Sequence, residues 1–489
     1  MKQKFTLFKT KERISQFGIP VLIITLIYLV GISSIIRADY DYIDDMGRIS
    51  QGYLAWSEFG RYLSDFLSTL IHTRRYMSDI SPLTQTIACA VVATAAVILL
   101  YTFTNRTRFS VYEYIAATIL ALNPYFLECL SYKFDSPFMA LSILGAVFPI
   151  LFRCSKPIIY FLSVFIGTLV VCTTYQAALG IFPIIVIFVI FDNWNSKKYS
   201  SKNDLVQFVL YSALPYVIAI LVFRFFLMKS FGEYVDTSIP NLKDFVPNFF
   251  ANLNLYYSCI FSDFKKSWLI LIGLLIVSLI YVLLKGSRQN VLLAFFALVV
   301  CILMSLLLCF GVYPIFTDSI FVPRAMYGFS TFLAVASIMV ARGKEFKIEK
   351  LVPVCLSWVF FVFCFTYGNA LAAQDSYTES RAKALIADLN TLDSFKDGPC
   401  AVQLDGSIGL APSVQNTAAN CKVLEKLVPQ TLSSSYWFWG GYRLYYYYGL
   451  DIGRNVEIDM TQLDYDIVLD SPLHTIKSDG AKNFLVILK

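Results

Sequence analysis

The sequence is short of charge. Asp, Glu, Lys and Arg make up only 15% of its 489 residues against 57% hydrophobic, and the mean hydropathy is +0.62. That balance argues against a soluble enzyme of several domains and places the chain among membrane proteins. Histidine is nearly absent, with His72 and His474 alone, and none of the eleven cysteines forms a C-x-x-C pair. A Cys/His metal site is therefore not expected. There is no Walker loop, G-x-G-x-x-G fingerprint or H-E-x-x-H segment in a fitting context. This disfavours a nucleotide-driven pump and a soluble nucleotide-sugar enzyme. The net charge of +6 is spread over many short loops, so nucleic acid is not an expected partner.

Aromatics are plentiful at 16%, with 42 Phe and 31 Tyr, as expected of many helices ending in interfacial belts. Apolar runs long enough to span a bilayer recur near 18–36, 84–104, 109–124, 136–152, 157–173, 177–191, 205–228, 267–285, 291–311, 323–341 and 351–372. The expected fold is a mainly α, polytopic bundle of about eleven spans. Every second loop is basic: Lys2, Lys4, Lys9, Lys11 and Arg13; Arg106 and Arg108; Arg153 and Lys156; Lys197, Lys198 and Lys202; Lys285 and Arg288; Arg342, Lys344, Lys347 and Lys350. The positive-inside rule then puts the N-terminus in the cytoplasm. Loops 37–83, 125–135, 174–176, 229–266 and 312–322 fall outside, as does the tail from Ala373. The basic start resembles a signal-peptide n-region, but the apolar run after it is long and no small-residue cleavage site follows, so an uncleaved first span is expected.

In the first outside loop, apolar residues at Tyr53, Trp56 and Phe59, then at Leu63, Phe66, Leu67, Leu70 and Ile71, predict two short amphipathic helices in the interface. The tail predicts a helix over Ser376–Leu392 and strands at Ala401–Leu404, Ile467–Leu469 and Phe484–Leu488. The expected division is a transmembrane catalytic domain, 1–373, and a small periplasmic α/β domain, 374–489. Cys400 and Cys421 are the only cysteine pair in this polar segment, and form either a disulfide or two unrelated thiols.

Chemistry concentrates outside. Asp39, Asp41, Asp44, Asp45 and Arg48 fall within ten residues at a membrane face. Charge this dense is costly unless it is solvated, paired or used. A carboxylate beside an acceptor hydroxyl can take its proton as the oxygen attacks a sugar C1, and Arg48 can hold the acid or a leaving phosphate. The plain alternative is a solvated acidic loop. In N-P-Y-F-L-E-C-L-S-Y-K-F-D-S-P, from Asn123, Lys133 suits a lipid phosphate and Glu128 or Asp135 suits sugar hydroxyls; a helix stop with interfacial tyrosines explains the segment equally well. Tyr175 and Gln176 sit in a tight turn where they bind a sugar or cap helices. Arg324, at an outer helix start, either binds phosphate or reaches to headgroups. The aromatic stretch Ser435–Gly449 stacks on sugars or docks on the membrane interface. An enzyme whose acids face outward needs a donor carried across the bilayer, and a lipid-phosphate sugar fits.

Four segments carry a resemblance: I-D-D-M-G-R after the first span, N-P-Y-F-L-E-C-L-S-Y-K-F-D-S after the third, T-Y-Q in the middle and P-R-A near the tenth. In their order and common side, over about the first 340 residues, the chain resembles the polytopic serotype-converting O-antigen glucosyltransferases, the glucosyltransferase family II membrane proteins. The resemblance implies a GT-C-like architecture in the bacterial inner membrane. It implies an undecaprenyl-phosphate glucose donor, a lipid-linked O-antigen acceptor in the periplasm, and inversion at the anomeric centre. It points to Asp44 or Asp45 as base, with Arg48 beside it and Asp39 and Asp41 the alternative pair; together with the residue reading above, Arg48, Lys133 and Arg324 are the candidates for the phosphate. A single lipid phosphate can leave without a metal, although a divalent ion at the Asp cluster stays open. Rival readings are a lipid-linked sugar transporter or flippase, which predicts ionisable residues along the bundle midplane where few occur, and an O-antigen polymerase or ligase, which would concentrate its chemistry in one large late loop.

Overall fold

The computed structural model describes residues 11–199, 201–228, 238–343, 345–396, 398–450, 452–453, 460–462, 465–480 and 482–489, with backbone alone for 11–15, 436–438, 453 and 462. Lys2, Lys4, Lys9 and Lys344, and part of the loop 229–266, lie outside the described residues.

The chain is mainly helical, at 71%. It runs through α1 (Lys11–Gly31), α2 (Ser33–Ala38), α3 (Asp44–Gln51), α4 (Tyr62–Ile71), α5 (Leu83–Thr104), α6 (Val111–Ala117), α7 (Pro124–Ser131), α8 (Ser136–Val147), α9 (Pro157–Thr174) and α10 (Ile181–Asn195). It continues through α11 (Lys202–Val222), α12 (Leu242–Asp263), α13 (Lys266–Lys285), α14 (Val291–Leu308), α15 (Tyr327–Ala341), α16 (Leu351–Leu389), α17 (Pro412–Asn420), α18 (Val423–Leu427) and α19 (Trp437–Tyr442). Two compact units result. The first is Met1–Ser33, Leu54–Arg75 and Ile80–Phe365; the second is Ser34–Tyr53, Tyr76–Asp79 and Thr366–Lys489.

The first unit is built around α15. Every residue from Tyr327 to Ala341 is buried, because the helix carries apolar or small side chains on all sides and can satisfy them only inside the bundle. α5, α6, α10, α13 and α14 surround it. Two glycines let the end of α14 come close: a Cβ on Gly328 would stand 1.9 Å from the Cys309 carbonyl oxygen, and one on Gly180 2.0 Å from that of Leu308. Small residues at such crossings are what bring backbones together in apolar surroundings. The outward faces of α11, α13 and α14 expose Leu214, Ile270, Val277, Phe296 and Leu303, as a lipid-facing surface requires.

Among the described residues, seven helices are long and apolar enough to cross a membrane on their own. The other four expected spans are also helical, but one is bent and two are short. Segments Val111–Leu120 and Pro124–Ser131 meet at 66° and would make an eighth span if counted together. Ser136–Phe152 and Tyr327–Ala341 are shorter apolar helices, and Gln16–Gly31 is the apolar part of the 21-residue α1 whose side chains are described. The bend follows from Asn123-Pro124. A residue before proline avoids the helical region, and Asn123 is extended, with ψ 156°. Its Oδ1 accepts from Tyr125 N at 3.0 Å and Phe126 N at 3.1 Å, while Nδ2 donates to the Ile119 and Leu120 carbonyls. One side chain thus serves both sides of the break.

Two of the segments expected outside differ from expectation. Loop 229–266 contains α12, whose moderate hydropathy hid it; Tyr256 stacks on Phe310 at 4.3 Å, and Asn252 Nδ2 donates to the Phe316 carbonyl at 2.8 Å. The expected helix through Tyr53–Phe59 does not form. α3 stops at Gly52, whose φ of 66° ends a helix readily, and Trp56–Phe59 is a single 3-10 turn. The second expected helix is α4. It buries Ser64 and Ser68 while Phe66 and Leu70 are exposed, the inverted pattern of a helix facing lipid.

The second unit carries a mixed sheet of β1 (Cys400–Asp405), β2 (Ile452–Gly453), β3 (Asp466–Asp470), β4 (His474–Ser478) and β5 (Asn483–Leu488), in the order β2-β1-β5-β4-β3. β1 is parallel to β2 and β5, and β4 is antiparallel to β5 and β3. The three expected strands are present, joined by β2 and β4. Val402, Leu404, Ile476 and Val486 pack with Ala382, Leu385 and Leu389 of α16. The helix expected over Ser376–Leu392 is thus the end of a 39-residue helix that begins in the last apolar run. Cys400 and Cys421 are both buried in this unit.

The crowding at Gly328 makes a direct prediction. Gly328→Leu forces backbone apart at the core of the first unit and destabilises the protein by about 1–3 kcal/mol or more. Thermal unfolding of the purified protein in detergent measures it, and an unchanged midpoint would mean that α14 and α15 are not so closely apposed.

Candidate functional site

The candidate residues fall into two groups, each within its own unit. The second unit holds the first-loop acids. α3 begins at Asp44, and both Asp44 and Asp45 lie in its first turn, where the positive end of the helix favours carboxylates. Asp45 is fully buried, and its Oδ2 accepts from Tyr42 N at 3.2 Å, so it closes the turn leading into the helix. Asp44 is half-buried, and Arg48 follows one turn later on the same face and is buried. Asp41 accepts from the Tyr447 hydroxyl at 2.7 Å, and Asp39 is exposed. Burial and the Asp41 carboxylate push the Tyr447 phenol well above its ordinary range, so it remains a donor.

Tyrosines tie this loop to the tail. Tyr40 and Tyr42 donate to the Pro429 and Leu427 carbonyls at 3.1 and 2.9 Å, and Gln51 Nε2 donates to the Tyr446 hydroxyl at 2.8 Å. A Cβ on Gly47 would strike the Tyr53 hydroxyl at 2.5 Å and approach Trp439 at 3.1 Å. Part of the aromatic stretch Ser435–Gly449 is therefore committed inside the unit; the side chains of Tyr436, Trp437 and Phe438 lie outside the described residues. Sequence reasoning missed Tyr446, Tyr447 and Gln51. The run Tyr445–Tyr448 was the available signal, but nothing local names a partner some 400 positions away.

The first unit holds the remaining candidates, and most are engaged. Asn123–Pro137 was expected as a loop at the membrane face; it is α7 and the turn into α8, and it is buried throughout. Glu128 receives Arg324 twice, from the guanidinium Nη1 and from the backbone N at 2.6 Å. The Arg324 guanidinium also lies over the Tyr132 ring, at 5.7 Å. Lys133 and Asp135 are buried, and Asp135 accepts from Trp56 Nε1 at 2.5 Å. Asp65 accepts from the Trp56 and Ser57 backbone N atoms at 3.1 and 2.8 Å and so holds the 3-10 turn. Gln176 Nε2 donates to the Cys172 carbonyl at 2.9 Å, closing the end of α9, and its Oε1 accepts from Arg61 Nε at 3.4 Å. Arg61 lies 4.6 Å from the centre of the Tyr175 ring. Trp56 and Arg61 are the polar partners that spacing alone did not identify. No cluster of three His, Cys, Asp or Glu suited to a metal occurs among the described residues.

These features define a class: a polytopic membrane protein whose acids and arginines gather at helix ends and turns, with a small mixed-sheet unit appended. The chain belongs to the Glucosyl transferase GtrII family, which matches residues 33–341, a stretch containing every candidate named above except those of the tail. It is also similar to an uncharacterized 55.3 kDa protein in the gtrB 5′ region of Salmonella phage P22, with 24% identity over 418 residues, covering 81% of this chain and 84% of that one. No solved structure matches the chain.

The Glu128–Arg324 pair generates a second prediction. The Glu128 side chain is 2% exposed and that of Arg324 19%. Glu128→Gln leaves a largely buried guanidinium without its counter-charge, and unfolding in detergent should show a loss toward the lower end of about 3–5 kcal/mol. A loss under about 1 kcal/mol would show that the pair is not what holds Arg324.

Proposed function

We propose that the protein transfers a glucosyl group, with inversion, from undecaprenyl-phosphate glucose to lipid-linked O-antigen on the periplasmic side of the bacterial inner membrane. One observation carries the catalytic part of this reading. Inside the region matched by the family, Asp44 and Arg48 stand one helical turn apart on the same short helix. Asp44 is the general base. As the acceptor oxygen attacks the sugar C1, its proton passes to the Asp44 carboxylate, and the bond from C1 to the phosphate oxygen breaks with its electron pair on the lipid phosphate. Arg48 stabilises that developing charge. Asp45 positions the turn through its bond to Tyr42 N.

Burial separates the two acids of the first turn: Asp45 is fully buried and closes the turn, whereas Asp44 is half-buried, which supports Asp44 as the base and Asp45 as a positioning group. Arg324, Glu128, Asp135 and Gln176 are spent on one another and on nearby side chains, which favours a positioning role for them. The basic loops support the sidedness, with the N-terminus cytoplasmic and residues 374–489 forming a periplasmic domain.

The test is glucose transfer from a lipid-phosphate donor in membranes. Asp44→Asn should lower kcat by roughly 10²–10⁴-fold, with expression unchanged. Arg48→Ala should lower it by about 10²–10³-fold. Wild-type turnover by Asp44→Asn would remove Asp44 from the reaction.

A further inference from the structure

A cavity of about 350 Å³ lies at the opposite end of the first unit's central helices from Arg324. Arg324 sits in the turn before α15, and Arg342 follows its last residue, so the two are separated by roughly 22 Å along the helix. The last turn of α5, the last turn of α10 and the residues after α15 form the cavity wall, and Asn105, Arg106, Asp192, Ser196, Lys198 and Arg342 line it.

Part of this charge is structural. Asp192 accepts from Arg342 Nη1 at 2.6 Å and from Lys198 Nζ at 3.1 Å, and Arg106 pairs with buried Glu113 behind the wall. Helix C-termini attract cations in any case. Yet three cations line the cavity against a single carboxylate. Their side chains keep 29% (Arg106), 45% (Lys198) and 27% (Arg342) exposure, so none is sealed off from solvent by its ion pair. A fourth cation, Lys350, donates to the Gly343 carbonyl just outside. Asn105 and Ser196 add neutral polar groups. Guanidinium forks on a rigid frame are matched to phosphate oxygens. A basic pocket among the ends of apolar helices is also the setting in which lipid headgroups are recognised.

We propose that this cavity binds a phosphate group, carried by an anionic lipid headgroup or by a soluble phosphate. The site is separate from the residues assigned to glucosyl transfer and does not depend on that assignment. A bound phosphate accepts hydrogen bonds from these cations and ties together the ends of three helices.

Full-length protein in detergent is titrated with phosphatidylglycerol, with diacylglycerol as the phosphate-free counterpart, and separately with inorganic phosphate against chloride at equal ionic strength. Native mass spectrometry and the Tm are read. Binding and a raised Tm are expected with phosphatidylglycerol, inorganic phosphate or both, and not with diacylglycerol. Response to phosphatidylglycerol alone identifies the lipid as the source; response to inorganic phosphate identifies a soluble one. Ser196→Glu places a carboxylate in the wall without removing an observed side-chain bond and should weaken binding at least tenfold. Lys198→Gln should weaken it severalfold, and it carries the comparison if Ser196→Glu does not fold. Absence of binding by either phosphate source, or unchanged affinity in Lys198→Gln, overturns the proposal.

Discussion

An ionised group inside an apolar bundle must be paired within the protein, because no water is available to solvate it. Glu128 and Arg324 meet that requirement, and the first unit is arranged so that they can. The Asn123-Pro124 break turns the chain into α7, which puts Glu128 within reach of the turn before α15. Asn123 satisfies the backbone groups that the break exposes, and α15, buried along its whole length, fixes where Arg324 stands. The close crossings at Gly180 and Gly328 keep α14 against α10 and α15. Weakening any of these would leave a charge or a backbone group without its partner in a low-dielectric setting.

The second unit answers the same constraint with tyrosines. The loop after the first apolar run carries four carboxylates in seven residues. Here they are distributed by environment: Asp45 is buried and held by a backbone N–H, Asp41 receives a phenol, Asp44 is half-buried at a helix start, and Asp39 faces solvent. Carboxylates in such different surroundings need not share a role, and a division between one that positions and one that reacts follows from where each sits.

Much of the architecture could be read from the chain. Each of the eleven apolar runs is a helix, three strands of the sheet were foreseen, and the motif segments place the chain in the family that its residues 33–341 match. These features are local, since a run of apolar residues or a two-residue alternation reports on itself. The readings that changed depended on length or partner. Two runs form helices shorter than the hydrocarbon core of a bilayer, and one is bent by proline. α12 was read as a loop because its polar residues dilute the apolar signal. The tail helix was separated from the last span although the two are continuous.

By itself, the sequence determined the membrane character, the family and the set of acids and arginines available for chemistry, because composition, apolar runs and short motifs are properties of neighbouring residues. Only the tertiary structure decided which of those groups are used up. Glu128 is occupied by Arg324, Asp135 by Trp56, Asp41 by Tyr447 and Asp192 by Arg342 and Lys198, across separations of up to 406 residues. Hydrogen bonds and ion pairs act over about 3 Å of space regardless of distance along the chain, so a charge's partner, and hence its freedom to react, is settled by folding.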